Sequence, residues 1–284
     1  MNILYCGDVG IARGVLISIL SILKHNPEPI SFFVMTIDGA KASKDADPRV
    51  KEVRPFPEKS AIFLDDLVKK TNSKNSFTLI DATNIFLKNL PTKNMGSYFT
   101  PCSMLRLYLD QVPVLQDLDR ILYLDYDVVC RANLTDFYHT DLDGIEAAGV
   151  LDIYGRHFYH YHGLFNDDYM NSGVMLFNIA ECKKTKMFKN AIKLCQKRWM
   201  MLADQAALNK SITHRRLMPR KYNEQGERPR TDTVLHHFSN NFKFWPYFRV
   251  QKVKPYDIAR VHSVLKIHEY DDIYDEYEKL KSSL

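Results

Sequence analysis

Two aspartates at the end of an apolar run are the feature of this sequence that points most directly to chemistry. Asp125 and Asp127 follow the apolar stretch 121–124 and precede Val128 and Val129. We interpret 121–129 as one strand, on which side chains two residues apart point to the same face, so both carboxylates can reach one cation. Mg²⁺ and Mn²⁺ prefer such oxygen ligands, and substrate phosphates usually complete their sites. The alternative is an acidic strand end in solvent, and the buried run before the pair favours the metal.

A second group of candidate residues lies near the carboxyl end. His236, His237, Lys243 and Trp245 fall within one short segment. A neutral imidazole can ligate a metal, and a lysine can meet the charge of a diphosphate. The alternative is a partly buried histidine pair that packs against aromatic rings, and the two remain open unless this segment meets the aspartates.

Three further polar residues interrupt apolar segments. Asn171 begins an apolar strand, and Asp204 and Gln205 lie inside a helical run. Neighbouring acids and amides offer the paired acceptors and donors that sugar hydroxyls need. The structural alternatives, a strand-entry cap for Asn171 and an acidic first turn of a helix for Asp204, are equally compatible with the sequence.

These residues must be positioned by the elements around them. A strand from Asn2 to Asp8, a helix from Ala12 to His25 and a strand from Ser31 to Ile37 form a βαβ unit, which predicts an α/β fold with a parallel sheet. Further strands at 147–151 and 173–177 and a helix at 186–200 continue the pattern, whereas the basic stretch 214–230 is predicted to be a loop. No internal repeat or linker is evident, so one domain is favoured.

Composition excludes several classes of protein. The 284 residues are 45% hydrophobic and 26% charged, which is typical of a globular protein rather than a disordered, collagenous or coiled-coil one. The net charge of +5 is too mild to indicate a nucleic-acid partner. A chain of this length needs no structural metal to fold, so a metal site here would be functional.

The five cysteines and the N-terminal region bear on location. The cysteines are scattered without a Cys-x-x-Cys spacing, which indicates reduced thiols rather than disulfides or a zinc site. The apolar run from Val15 to Leu23 is too short to span a bilayer and is predicted to be a buried helix. A cytoplasmic protein, with membrane association left open, is therefore expected.

Taken together, these motifs resemble glycosyltransferase family 8, whose members include bacterial lipopolysaccharide galactosyltransferases and glycogenin. The resemblance covers nearly the whole chain, from Asn2 to about Trp245. It rests on five motifs in order: Asp8 after the first strand, Arg106, Asp125-Tyr-Asp127, Asn171-Ser-Gly173, and His237 with Lys243 and Trp245.

The resemblance implies a retaining enzyme with a single GT-A (Rossmann-like) domain over residues 1–250 and a C-terminal extension over 251–284. The implied donor is a UDP-hexose, either UDP-galactose or UDP-glucose, used with Mn²⁺ or Mg²⁺. The implied acceptor is a hydroxyl of a saccharide, a lipid-linked glycan or a glycoprotein, with peripheral membrane contact as an open possibility.

The resemblance also implies roles for individual residues. His237 is preferred to His236 because it keeps the family's spacing to Lys243. Since Gln205 is a poor nucleophile and Ala206 follows it, attack on the donor from its front face is favoured over a covalent intermediate. The implied metal ligands are Asp125, Asp127 and His237; the donor contacts are Asp8, Cys6, Arg106, Asp152, Asn171 and Lys243; and the catalytic residues are Gln205 and Asp204.

Two other functions are compatible with parts of the sequence. A haloacid-dehalogenase-type phosphatase also has an apolar strand followed by Asp-x-Asp, with Asp125 as nucleophile and Asp127 as acid and base. That motif normally opens its fold, whereas here a βαβ unit precedes it. A non-catalytic protein that binds sugar nucleotides is the third possibility.

Overall fold

A seven-stranded sheet with helices on both faces organises the chain. The computed structural model describes residues 1–43, 46–95, 100–154, 168–243 and 249–284. The strands are β1 (Asn2–Cys6), β2 (Ser31–Thr36), β3 (Ser76–Asp81), β4 (Arg120–Leu124), β5 (Val128–Cys130), β6 (Ala147–Leu151), β7 (Met170–Asn178), β8 (Arg215–Leu217), β9 (Leu235–His237), β10 (Asn241–Lys243) and β11 (Arg249–Gln251).

The helices fill the connections between these strands. The α-helices span Ala12–His25, Pro48–Lys51, Glu58–Thr71, Thr83–Lys88, Thr135–Tyr138, Ile179–Thr185, Met187–Lys197, Ala203–Ser211, Ile258–Arg260 and Asp271–Leu280. The 3₁₀ helices span Val9–Ile11, Gly39–Lys41, Thr92–Asn94, Pro101–Gln111, Arg220–Tyr222 and Lys281–Ser283, and a π-helical turn spans Val261–Leu265.

The main sheet is mostly parallel, as expected. Its strand order is β3-β2-β1-β4-β7-β6-β8, and β7 is antiparallel to both of its neighbours while the other described pairs are parallel. The predicted βαβ unit is β1, the helix Ala12–His25 and β2, and the helix ends at the predicted residue. Two small antiparallel pairs, β5-β9 and β10-β11, lie outside this sheet.

The sheet is buried on both faces. In β1, Ile3 and Tyr5 enter one apolar cluster, and Leu4 and Cys6 enter the other. A strand covered on both faces must be apolar throughout, which explains the uninterrupted hydrophobic run at the start of the sequence. The five cysteines are free and buried.

The strand order brings polar residues to one edge of the sheet. β1 leads through its helix to β2 on one side, whereas β4 pairs on the other side of β1, so the sheet reverses its order of winding between β1 and β4. Ligands of open α/β sheets bind beyond the carboxyl ends of the strands at such a point. Asp8, Asp125 and Asp152 follow β1, β4 and β6 at this edge, and Asn171 reaches it because β7 runs the opposite way.

The expectation of one strand over 121–129 was wrong. β4 ends at Leu124, and residues 125–127 form a turn in which the amide of Val128 donates to the carbonyl of Asp125 at 3.2 Å. The chain then enters β5, which belongs to a different sheet. The carboxylates of Asp125 and Asp127 are therefore brought together by a turn rather than by the pleat of a strand.

The basic stretch 214–230 is also more structured than predicted. Arg215 begins β8, which is parallel to β6, and its guanidinium donates to the carbonyls of Asn209 and Ile212 at 2.7 Å each. Arg220 begins a 3₁₀ helix and pairs with the buried Glu224. Two arginines of this stretch are thus engaged in holding the fold.

The C-terminal residues pack onto the first helix. Ile273, Tyr274 and Tyr277 of the helix Asp271–Leu280 are buried in the same apolar cluster as Val15 and Ile19. The 251–284 segment, expected to be an extension, thus shares its core with the N-terminal unit. Among the described helices, none is both long and apolar enough to cross a membrane.

Gly14 is required for close packing of the Asp125–Asp127 turn. A Cβ at this helical position would lie 2.5 Å from the carbonyl oxygen of Tyr126 and 2.6 Å from its ring. An alanine inside a helix normally adds about 0.5–1 kcal/mol of stability over glycine, but forced overpacking costs about 1–3 kcal/mol. We expect Gly14→Ala to lower the free energy of unfolding in urea titrations, and Gly14→Ser to lower it at least as much. A more stable Gly14→Ala protein would contradict this packing.

Candidate active site

Three potential metal ligands converge beyond the end of β4. Asp125 Oδ2 lies 3.7 Å and Asp127 Oδ1 lies 3.4 Å from His237 Nε2. Backbone pairing produces this arrangement, since Val128 lies opposite His237 in the β5-β9 ladder and the amide of Phe238 donates to the carbonyl of Asp127 at 3.0 Å. The segment that contains His237 therefore meets the aspartates, which was the condition for interpreting this histidine as functional.

The other polar atoms of the triad are already bonded. Asp125 Oδ1 accepts from Arg106 at 2.9 Å and from the hydroxyl of Tyr123 at 2.7 Å. His237 Nδ1 lies 3.2 Å from Asn223 Oδ1, and the Asn223 amide nitrogen is itself committed as a donor to Asn171. Asn223 can thus only accept from His237, which assigns the proton to Nδ1 and leaves the lone pair of Nε2 facing the carboxylates.

Asp127 is the most buried member of the triad. Its side chain is 5% exposed, and Oδ2 accepts a hydrogen bond from Lys254. Burial alone would raise the pKa of Asp127, but the positive charge of Lys254 outweighs it and holds that pKa well below its usual range. Oδ1 has no hydrogen-bond partner among the described residues. A buried carboxylate oxygen without a partner, beside a free imidazole nitrogen, fits the donor set of a divalent cation.

Gly173 makes room for this convergence. A Cβ there would lie 2.3 Å from His237 Cε1 and 2.8 Å from Asp125 Oδ2. The amide of Asp125 also donates to the carbonyl of Gly173 at 2.8 Å. Any side chain at this position would displace the histidine or the carboxylate.

Arg106 connects the triad to the helix Ala203–Ser211. Its buried guanidinium bonds Asp125, lies 3.2 Å from Asp204 Oδ2 and donates to the carbonyl of Ser172 at 2.8 Å. It also stacks 4.1 Å above the ring centre of Tyr123. Burial raises the pKa of Asp204, and the ion pair with Arg106 only partly opposes this. The arginine thus fixes two carboxylates at once.

A chain of amides and one carboxylate continues from this arginine. Asn171 Nδ2 donates to Asp152 Oδ2 at 2.9 Å, and Gln205 Nε2 donates to the same oxygen at 3.0 Å. Gln205 Oε1 accepts from the amide and the hydroxyl of Ser172 at 2.9 and 3.3 Å. Both polar atoms of the Gln205 side chain are therefore fixed, and Arg106, Asp152, Asn171 and Gln205 form one buried network with Ser172.

The remaining expected residues lie around this centre. Asp8 follows β1 and caps the 3₁₀ helix Val9–Ile11 by accepting from the amide of Gly10 at 2.9 Å. Cys6 is buried at the end of β1, and burial raises the pKa of its thiol. Lys243 ends β10, but its side chain lies outside the described residues, as does Trp245.

His236, the neighbour of the metal-ligand candidate, has a structural role. It is 1% exposed, and its two ring nitrogens lie 2.8 Å from the hydroxyl of Tyr270 and 3.0 Å from the carbonyl of Gly226. Burial, more than any neighbouring charge, lowers its pKa from the ordinary 6.5 to about 4. The alternative of a packed histidine therefore describes His236, and His237 alone faces the aspartates.

Three residues in direct contact with the triad were not assigned a role from the sequence. Tyr123 was treated as an apolar strand residue, although a tyrosine two positions before an aspartate can bond it. Asn223 lies in the stretch 214–230, which was predicted only to be a loop. Lys254 has no local signal, because its partner Asp127 lies 127 residues away.

Comparison with known proteins places this chain in a family. The model of glycosyl transferase family 8 matches residues 2–248. A lipopolysaccharide 1,2-glucosyltransferase of Escherichia coli is 26% identical over 96% of this chain and 84% of its own length. A putative glycosyltransferase of Haemophilus influenzae is 22% identical to this chain. The match covers 74% of this chain and 58% of that protein.

The solved structures give the same result for the fold. The crystal structure of the galactosyltransferase LgtC with donor and acceptor sugar analogues superposes with a TM-score of 0.66 at 17% identity, and the match covers 100% of both chains. The expected GT-A fold is confirmed. The family match also sets aside the phosphatase alternative, which predicted that the Asp-x-Asp motif would open the fold.

The buried His236 predicts an acid-sensitive stability. Between pH 6.5 and about 4 the unfolded chain binds a proton at this residue and the folded chain does not, so the stability present above pH 6.5 is lost as the pH falls. Lowering the pH from 6.5 to 5 should cost about 1.5 kcal/mol through this residue, because the unfolded residue is already half protonated at pH 6.5. We expect the free energy of unfolding in urea to fall by that much more in the wild type than in His236→Gln. Equal losses in the two proteins would contradict a neutral buried His236.

Proposed function

The chain belongs to glycosyltransferase family 8 and is a glycosyltransferase, and we propose that it moves a hexose from a UDP-sugar to an acceptor hydroxyl with retention of configuration. The proposed donor is UDP-glucose or UDP-galactose, and Mn²⁺ or Mg²⁺ is the proposed metal. The proposed acceptor is a hydroxyl of a glycan or glycoprotein, and the relatives that act on lipopolysaccharide support a saccharide.

The convergence of three ligand atoms carries this proposal. Asp125, Asp127 and His237 each offer one ligand atom within 4.8 Å of the others, and the second polar atom of each side chain is engaged elsewhere. These residues would hold the metal, leaving its other positions to the diphosphate of the donor. When bound, the metal supplies Lewis-acid stabilisation of the negative charge on the departing UDP.

The protein's own residues position the sugar next to that centre. Asp152, Asn171 and Gln205 form a rigid set of acceptors and donors because each is held by another member of the network. Asp204, held by Arg106, would accept a hydrogen bond from a sugar hydroxyl. Fixed dipoles of this kind stabilise charge without reorganising during the reaction.

The bonding of Gln205 favours a front-face substitution. Its Oε1 accepts two hydrogen bonds from Ser172, so nucleophilic attack by this oxygen would break both. In the proposed reaction the bond from the anomeric carbon to the phosphate oxygen breaks while the acceptor oxygen bonds on the same face. The acceptor proton passes to the β-phosphate of the departing UDP, which keeps its bonding electron pair.

Removal of one ligand should abolish the metal-dependent reaction. We expect Asp127→Asn to lower Mn²⁺-dependent UDP release from UDP-glucose or UDP-galactose by at least about 100-fold, measured in a coupled assay for UDP across a panel of UDP-sugars. The control is Asp117→Asn, because this carboxylate is 82% exposed ahead of β4. Full activity of a folded Asp127→Asn protein, or of the wild type in excess chelator, would remove the metal from the reaction. UDP-sugar binding without any UDP release would instead favour the non-catalytic alternative.

Loss of the Gln205 amide should act on turnover. We expect Gln205→Ala to lower kcat by about 10-fold to 100-fold while the affinity for UDP changes little, since this side chain faces the sugar network rather than the nucleotide. Asn209→Ala is the matched control, because Asn209 is a buried amide one turn along the same helix that bonds the backbone of Met170 at 2.8 Å. The control should lose stability and keep its kcat. An unchanged kcat in Gln205→Ala would exclude Gln205 from the donor-sugar site.

A further inference from the structure

A lysine from the C-terminal segment enters the carboxylate centre. Lys254 lies beyond residues 2–248 that the family model matches. Its Nζ donates to Asp127 Oδ2 and, at 3.1 Å, to the carbonyl of Phe238. The side chain is 23% exposed, so this ammonium group is largely withdrawn from solvent.

The segment around Lys254 is fixed in place. Val253 is buried in the main core at 4% exposure, and Pro255 is also buried. The ring of Tyr256 stacks on that of Tyr126, with centroids 6.4 Å apart and planes at 22°. Tyr126 is the residue between the two aspartates, so this stacking holds the C-terminal segment against the turn that carries them.

Each aspartate of the triad thus has a resident cation. Arg106 bonds Asp125 Oδ1, and Lys254 bonds Asp127 Oδ2, on the oxygens that face away from His237. A divalent cation among the three ligand atoms would share both carboxylates with these charges. Like charges at such separations repel strongly where water is largely excluded. The arrangement is suited to hold the carboxylates before the metal binds and to weaken the metal's affinity when no anion accompanies it.

We propose that Lys254 is an internal counter-cation that makes metal binding depend on the diphosphate of the donor. The negative diphosphate offsets the repulsion between Lys254 and the metal, so metal and nucleotide each bind more tightly when the other is present. This coupling is reciprocal by thermodynamic necessity. The inference rests on the proposed metal-dependent function and adds a residue outside the family's matched region to it.

Direct binding measurements test this role without relying on turnover. Mn²⁺ binding would be followed by electron paramagnetic resonance and by isothermal titration calorimetry, with and without saturating UDP. Two neutral variants, Lys254→Gln and Lys254→Met, should bind Mn²⁺ alone at least about 10-fold more tightly than the wild type, which is the change expected when one neighbouring positive charge is removed. With UDP present the difference between the variants and the wild type should shrink. The ratio of the Mn²⁺ affinity with UDP to the Mn²⁺ affinity without UDP should therefore fall by a similar factor in the variants.

Two further variants separate charge from structure. Lys254→Arg keeps the positive charge and should keep the wild-type ratio. Lys279→Met removes an exposed lysine from the same C-terminal segment and should also leave the ratio unchanged.

The outcomes distinguish the inference from the function on which it rests. If the neutral variants bind Mn²⁺ alone no more tightly than the wild type, or keep its ratio, Lys254 is not a counter-cation and the inference is overturned. If Lys254→Gln does not fold, Lys254→Met gives the same comparison. If neither folds, a Lys254→Arg protein in which UDP no longer strengthens Mn²⁺ binding overturns the inference. Failure of the wild type to bind Mn²⁺ at any UDP concentration would instead contradict the proposed metal-dependent function.

Discussion

The burial of the Asp127 carboxylate is the constraint on which the site depends. An isolated ionised carboxylate cannot be withdrawn from water unless charges and hydrogen bonds replace the solvent. The protein meets this requirement from a distant segment, since the C-terminal residues supply the ammonium group of Lys254. The pairing of β5 with β9 fixes one side of the aspartate turn, and the stacking of Tyr256 on Tyr126 holds the C-terminal residues against it.

The acidic centre also depends on the absence of side chains at two positions. Gly14 allows the first helix to touch the backbone of Tyr126, and Gly173 allows His237 and Asp125 to approach each other. Neither glycine has a positive φ, so conformational freedom is not what these positions require. They supply space, and they place the helix behind the turn and β7 beside it at distances that a Cβ would prevent.

Local patterns in the sequence predicted the elements and the residue types of the site. The apolar run 2–6 and the helix that ends before Pro27 define the βαβ unit, and the aspartates, Asn171 and Gln205 stand out because they are polar residues in apolar surroundings. The path of the chain at 125–127 could not be predicted locally, because the decisive contact is with Gly14, far away along the chain. The role of Lys254 could not be predicted from the sequence for a related reason. A single lysine in a charged C-terminal segment is normally solvated, and only the tertiary fold brings it to a buried carboxylate.

The pairing of β7 with β4 has a consequence for how the chain reaches its native alignment. Leu124 lies opposite Val174, so Asp125 meets Gly173. A slip of one residue would bring Ser172 or Val174 to the position of Gly173 and would turn the apolar side chains of β7 to the wrong faces of the sheet. The side chain that replaced the glycine would then collide with the imidazole of His237. A misaligned strand therefore cannot close the histidine against the aspartates, and the site forms only on the native alignment of the central sheet.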